Sequence, residues 1–76
     1  MPYGGERALN DYTFEAYTAG AVAMSAALYS SQGHLVASAS QAGITVIISA
    51  AGQNKGVYIL RFSDCKQTHA QKVVVR

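Results

Sequence analysis

The sequence predicts an all-β fold, a small immunoglobulin-like antiparallel β-sandwich of about six or seven short strands. Three observations predict it. Short runs of alternating apolar and polar residues recur along the chain, glycine-bearing turns separate them, and β-branched residues crowd the strongest runs. Half of the 76 residues are apolar and 13% are charged, which suits a packed domain rather than a disordered chain. A chain of this length makes one domain that buries about 60% of the surface its unfolded form exposes. Two sheets sharing one core then fit the strand pattern better than an open sheet.

Residues 1–10 hold Pro2, Gly4 and Gly5 and show no periodicity, so they read as a flexible N-terminal segment ahead of a β-sandwich over 11–76. A first strand opens at Asp11, with Tyr12, Phe14 and Ala16 on one face and Thr13, Glu15 and Tyr17 on the other. Ala21 to Tyr29 is ambiguous, because alanine favours helix while Val22, Met24, Ala26 and Leu28 alternate with Ala23, Ser25, Ala27 and Tyr29. Strand is the better reading, since a lone helix with so narrow an apolar stripe would need its own packing partner. Glu6, Asp11 and Glu15 precede this stretch where a secretory leader carries basic residues, which argues against a cleaved signal peptide.

Ser30-Ser31-Gln32-Gly33 signals a hairpin turn, with Gly33 available for a positive φ. A strand from Leu35 to Ala39 follows, and Ser40 to Gly43 break it. Ile44 to Ala50 is the most apolar run, with Ile44, Val46 and Ile48 on one face; Ile47 on the other face implies burial there too or contact with a neighbour. Ala51 to Lys55 loops to Gly56, whose missing Cβ permits a sharp entry into the next strand. Tyr58, Leu60 and Phe62 then alternate with Val57, Ile59 and Arg61. After the short polar connection Ser63 to Gln67, a last strand runs from Thr68 to Val75, and the two form an antiparallel hairpin. The expected inward residues are Phe14, Met24, Leu28, Leu35, Val46, Ile48, Tyr58, Leu60, Phe62, Val73 and Val75.

The final hairpin carries a resemblance. Gly56-Val57-Tyr58-Ile59-Leu60-Arg61, followed after a turn by Lys72-Val73-Val74-Val75-Arg76 at the carboxyl end, resembles the type A C-terminal sorting domain of the type IX secretion system of Bacteroidetes. A weaker likeness lies upstream, where Leu28-Tyr29-Ser30-Ser31-Gln32-Gly33-His34-Leu35-Val36 is similar to the family's hydrophobic-Tyr, turn, Gly-Arg-x-Val segment. The resemblance spans about residues 26–76. His34 stands where Arg or Lys is usual, Asn54 where Pro often precedes the Gly-x-Tyr, and Cys65 where Gly often follows the acidic residue. The likeness implies an immunoglobulin-like sandwich and a signal that directs an N-terminal cargo across the outer membrane. The type IX secretion and attachment machinery would be the partner. The route runs through the periplasm to the cell surface or the medium. Gly56, Tyr58, Leu60, Arg61, Lys72, Val73, Val74, Val75 and Arg76 would form the sorting motif, with Tyr29 and Gly33 as a secondary one. The alternative is a generic β-sandwich interaction module, with homodimer formation through an exposed strand edge as one form of it.

Charge is distributed unevenly. Residues 1–54 hold Arg7 against Glu6, Asp11 and Glu15, a net of −2, whereas residues 55–76 hold five basic residues against Asp64, a net of +4. A positive end of this kind steers a domain toward acidic protein or anionic glycolipid.

The remaining constellations point away from chemistry. Cys65 and His69 are four apart with Asp64 adjacent, but Cys65 falls in the turn and only His34 remains as a further nitrogen donor for a zinc site that needs four ligands. Gly52 to Gly56 lacks the Gly-Lys-Ser/Thr ending and the following helix of a phosphate cradle. The four carboxylates are too scattered to make an acid/base pair, so neither enzymatic activity nor a cofactor is expected. No aromatic stripe interleaves with the basic residues as nucleic-acid binding requires, and no run approaches the roughly 20 apolar residues of a membrane-spanning helix. The lone cysteine forms no internal disulfide.

Overall fold

The computed structural model describes residues 4–76 and is a β-sandwich of seven antiparallel strands. The strands are β1 (Gly4–Ala8), β2 (Thr13–Thr18), β3 (Ala23–Ser30), β4 (Leu35–Ala42), β5 (Thr45–Ser49), β6 (Gly56–Ser63) and β7 (Thr68–Val75). One sheet has the order β1-β2-β5 and the other β4-β3-β6-β7. The links β2–β3, β4–β5 and β5–β6 cross between sheets, which makes an immunoglobulin-type arrangement with the fourth strand on the second sheet.

Alternation places the core. Phe14 and Ala16 on β2, Met24, Ala26 and Leu28 on β3, Val46 and Ile48 on β5, Tyr58, Leu60 and Phe62 on β6, and Val73 and Val75 on β7 are all buried. Ten of the eleven expected core residues belong to this set, and the alanine-rich run is strand β3 rather than helix. The small residues Ala16, Ala26 and Ala50 complete it, and Thr18, the one buried polar residue among those described, donates its hydroxyl to Met24 Sδ at 3.4 Å.

Leu35 is the exception, 59% exposed. The β3–β4 register runs Leu28↔Ala37 and then Tyr29↔Leu35, so Val36 is an extra residue on β4. A bulge of one residue reverses the inside–outside phase of everything beyond it. Val36 packs on the core in place of Leu35, and Leu35 joins Tyr29 on the outer face.

Other expectations are corrected at element ends. The segment read as flexible over 1–10 contains β1, which pairs with β2 from Gly4↔Thr18 to Ala8↔Phe14; its first three residues lie outside the described part. The strand has no period because Gly4 and Gly5 carry no side chain to show one. They are small for a reason: a Cβ on Gly4 would lie 3.0 Å from the His69 ring, and one on Gly5 would lie 2.6 Å from Tyr17 Oη. The strand read from Asp11 starts at Thr13, leaving Tyr12 exposed, and the one read to Ala39 continues to Ala42. Ile44 precedes β5 and is exposed, and Ile47, on the outer face opposite Glu15, is exposed as well.

On one side the sandwich is closed by the chain, since β4 passes directly into β5 and lies against it. On the other side β1 and β7 are the edges of their sheets, each hydrogen-bonded to a single neighbour.

Candidate functional site

The eleven motif residues divide by face. Tyr58, Leu60, Val73 and Val75 point inward and are buried, so their part is to hold the fold. The Tyr58 hydroxyl also donates to the Asn54 carbonyl at 2.7 Å, tying the loop before β6 to the core. Gly33 (φ 88°) and Gly56 (φ 147°) are backbone devices at a turn and a strand start. Arg76 follows β7, and its N–H donates to the Asp11 carbonyl at 2.9 Å.

The remaining four, Tyr29, Arg61, Lys72 and Val74, share the outer face of the four-stranded sheet. Register brings them together across three strands. Tyr29 of β3 is opposite Ile59 of β6, which is opposite Lys72 of β7; the next row toward one end pairs Val57 with Val74, and the next toward the other sets Ala27 beside Arg61. Leu35, displaced by the bulge, lies beside Tyr29. Leu35, Val57 and Val74 are exposed large apolar residues, and with Tyr29 and Ile59 they form one continuous patch beside two cations.

Beyond Arg61 the same face is paved with small side chains. Ser25, Ala27, Ser38, Ser40, Ser63 and Thr68 floor an open trough of about 540 Å³, bounded by Tyr29 and Arg61. Ser25 Oγ and Ser63 Oγ lie 3.0 Å apart across β3 and β6. No strand of this sheet carries an acidic residue. Glu6 and Glu15 are on the other sheet, where Glu15 accepts from Arg7 Nε at 2.8 Å. The face is therefore cationic and apolar without internal neutralisation.

The β6–β7 turn beside it is organised by Asp64, whose Oδ1 accepts the backbone N–H of Gln67 at 2.8 Å and of Lys66 at 3.0 Å. These two bonds, with smaller help from its own backbone N–H and the His69 charge, hold the Asp64 carboxyl below the usual carboxylate range. Cys65, next in the turn, is exposed and has φ 78°, the one non-glycine residue with positive φ among the described residues. Among the described residues no group of three or more His, Cys, Asp and Glu could hold a metal ion, and no helix is long and apolar enough to cross a membrane.

The alternation of β6 already sets Val57 and Ile59 on one face with Arg61, but the same period puts Leu35 inside and does not bring Tyr29 or Lys72 beside them. Pairing order was the missing information, because nothing in the linear pattern says that β3 lies between β4 and β6.

Fold and face together define a small β-sandwich with an exposed apolar and cationic surface on one sheet. Comparison with known protein families, characterised proteins and solved structures returns no match.

Proposed function

We propose that this chain is a sorting domain of the type IX secretion kind, a β-sandwich that directs a cargo domain ahead of it across the outer membrane for surface attachment or release. The observation that carries the reading is the convergence of the two motif segments. Residues 28–36 and 56–76 are distant in sequence, yet their accessible members Tyr29, Arg61, Lys72 and Val74 occupy one acid-free face. Cys65 adds support, because the residue standing where the family pattern often has glycine is the one in the backbone conformation that favours glycine. The secretion and attachment machinery would read the exposed face, while Tyr58, Leu60, Val73 and Val75 keep it rigid. A second reading, a general protein-interaction module without export function, is favoured by the exposed apolar patch alone.

The test is a reporter enzyme fused ahead of the domain in a Bacteroidetes host. The intact domain should deliver the reporter to the surface, and Arg61→Glu with Lys72→Glu should leave it in the periplasm without lowering the melting temperature of the isolated domain. Retention with the intact domain refutes the sorting reading; delivery by both refutes the assignment of the face.

A further inference from the structure

Both edges on the open side of the sandwich turn backbone groups outward, and which groups those are can be read from three hydrogen bonds. In a strand the backbone groups of successive residues point to alternate sides. The Gln67 carbonyl accepts from Asp64 N–H at 3.2 Å, toward β6, whereas the Arg76 N–H donates to Asp11, away from β6. Both place the N–H and C=O groups of Ala70, Lys72 and Val74 on the side away from β6. Among the described residues no strand pairs with β7 there. The same reasoning on β1, where Leu9 N–H donates to the Thr13 carbonyl of the β1–β2 hairpin, turns the groups of Glu6 and Ala8 toward the open side.

Between these edges lies an open slot of about 420 Å³ whose lining includes Glu6, Ala8, Phe14, Lys72, Val73 and Val74. Buried Phe14 and Val73 form its apolar floor. The slot is closed at one end, where Arg76 meets Asp11.

We infer that the β7 edge accepts an extended segment of a partner polypeptide as a fifth strand of the β4-β3-β6-β7 sheet, antiparallel to β7 and spanning Ala70 to Val74. Three free backbone positions set a length of about five residues. Side chains specify the partner. Residues of the incoming strand opposite Ala70, Lys72 and Val74 share the outer face with them, so the central one is acidic, facing Lys72, and the one facing Val74 is apolar. The residue opposite Val73 faces the slot floor of Phe14 and Val73 and is apolar. Lys72 takes part in no ion pair among the described residues, so its charge is available.

A second copy of this chain does not fit the same edge. The antiparallel register that uses all three free positions sets Lys72 directly opposite Lys72, with Cβ atoms about 5 Å apart, and like charges so placed repel. A lysine in the middle of an exposed edge is a recognised barrier to self-pairing. The edge is thus closed to its own kind and open to an acidic strand. This inference rests on backbone geometry and is independent of the sorting reading, since its test needs no secretion machinery.

The probe is a capped pentapeptide, valine–valine–glutamate–valine–threonine, with a control carrying lysine in place of glutamate. Amide exchange and ¹H–¹⁵N shifts of the whole domain are read at low salt. In the free protein the amides of Ala70, Lys72 and Val74 should exchange quickly while those of Gln71, Val73 and Val75 are protected. Millimolar glutamate peptide should shift and protect the first three, and the lysine peptide should bind at least fivefold more weakly. Lys72→Glu should reverse that preference while leaving the melting temperature unchanged. Protection of Ala70, Lys72 and Val74 in the free domain, shifts mapping to another face, equal binding of the two peptides, or no binding at 5 mM would each overturn the inference.

Discussion

Replacing Cys65 with glycine should make this domain more stable, although glycine substitutions usually do the opposite. Cys65 has φ 78° in the β6–β7 turn, and an L side chain in that region costs about 1–2 kcal/mol through the clash of Cβ with the following carbonyl. Its thiol is exposed, so removing it gives up little buried area. Against the relief stands the greater freedom of glycine in the unfolded chain, about 0.4–1 kcal/mol. The net is a gain of about 0.5–1 kcal/mol. In a domain of this size each kcal/mol moves the melting temperature by about 4–8 °C, so Cys65→Gly should melt about 2–8 °C higher. Cys65→Ala keeps the Cβ and should melt with the parent. The assay is thermal unfolding by circular dichroism under reducing conditions, supported by urea midpoints at constant slope. A glycine variant that melts at or below the parent would refute the assignment of strain to this residue. An alanine variant that gains as much as glycine would show that the thiol, not the backbone, was the source.

Three further outcomes follow from burial, hydrogen bonding and charge. Leu28→Ala, at a fully buried position, should cost about 2–5 kcal/mol, whereas Leu35→Ala, on the outer face, should stay within about 0.5 kcal/mol; equal losses in urea unfolding would contradict the bulge at Val36. Tyr58→Phe keeps the buried ring but removes the 2.7 Å bond to the Asn54 carbonyl, and should cost about 0.5–1.5 kcal/mol with faster amide exchange over residues 51–55. Asp64 has its folded-state pKa lowered by the Gln67 and Lys66 amides, so the stability it lends is complete above the unfolded aspartate value, about 3.9, and is lost as pH falls through the lower folded value. Urea midpoints measured from pH 6 down to pH 2 should therefore decline less steeply in Asp64→Asn than in the parent; parallel curves would remove Asp64 from the acid response.

Most of the sandwich was legible because alternation is a property of each strand alone. Phe14, Val46, Ile48, Tyr58, Leu60 and Phe62 announce their side of the sheet without reference to any neighbour. What depends on two strands was not legible. Leu35 sits in phase with Ala37 and Ala39 when β4 is read by itself, and the bulge that puts it outside appears only in the register with β3. β1 was missed for a related reason, since two glycines erase the alternation that would mark it, and their smallness makes sense only once Tyr17 and His69 lie against them. For the candidate site, residue identity was visible in the linear motifs. Their division into core holders and surface residues needed only the period of two, while the patch they form needed the strand order.

The separation of charge along the chain becomes in part a separation in space. β6 and β7, which carry Arg61 and Lys72, belong to one sheet, and β1 and β2, which carry Glu6 and Glu15, to the other, so the charge separation runs partly across the sandwich, while at the open edge Asp11 meets Arg76 and Glu6 shares a slot with Lys72. The outer face of the four-stranded sheet, with Arg61 and Lys72 and no acid on its strands, is thus a positive side of the domain. Sheets in a sandwich pack about 10 Å apart, comparable to the Debye length of about 8 Å at physiological salt. The two sides are therefore screened partly independently, and an approaching acidic surface feels the near one first. Such a body experiences a torque as well as an attraction. On the sorting reading proposed above, this would turn the β4-β3-β6-β7 face toward an acidic partner before any side chain touches, and raising the salt concentration would slow association.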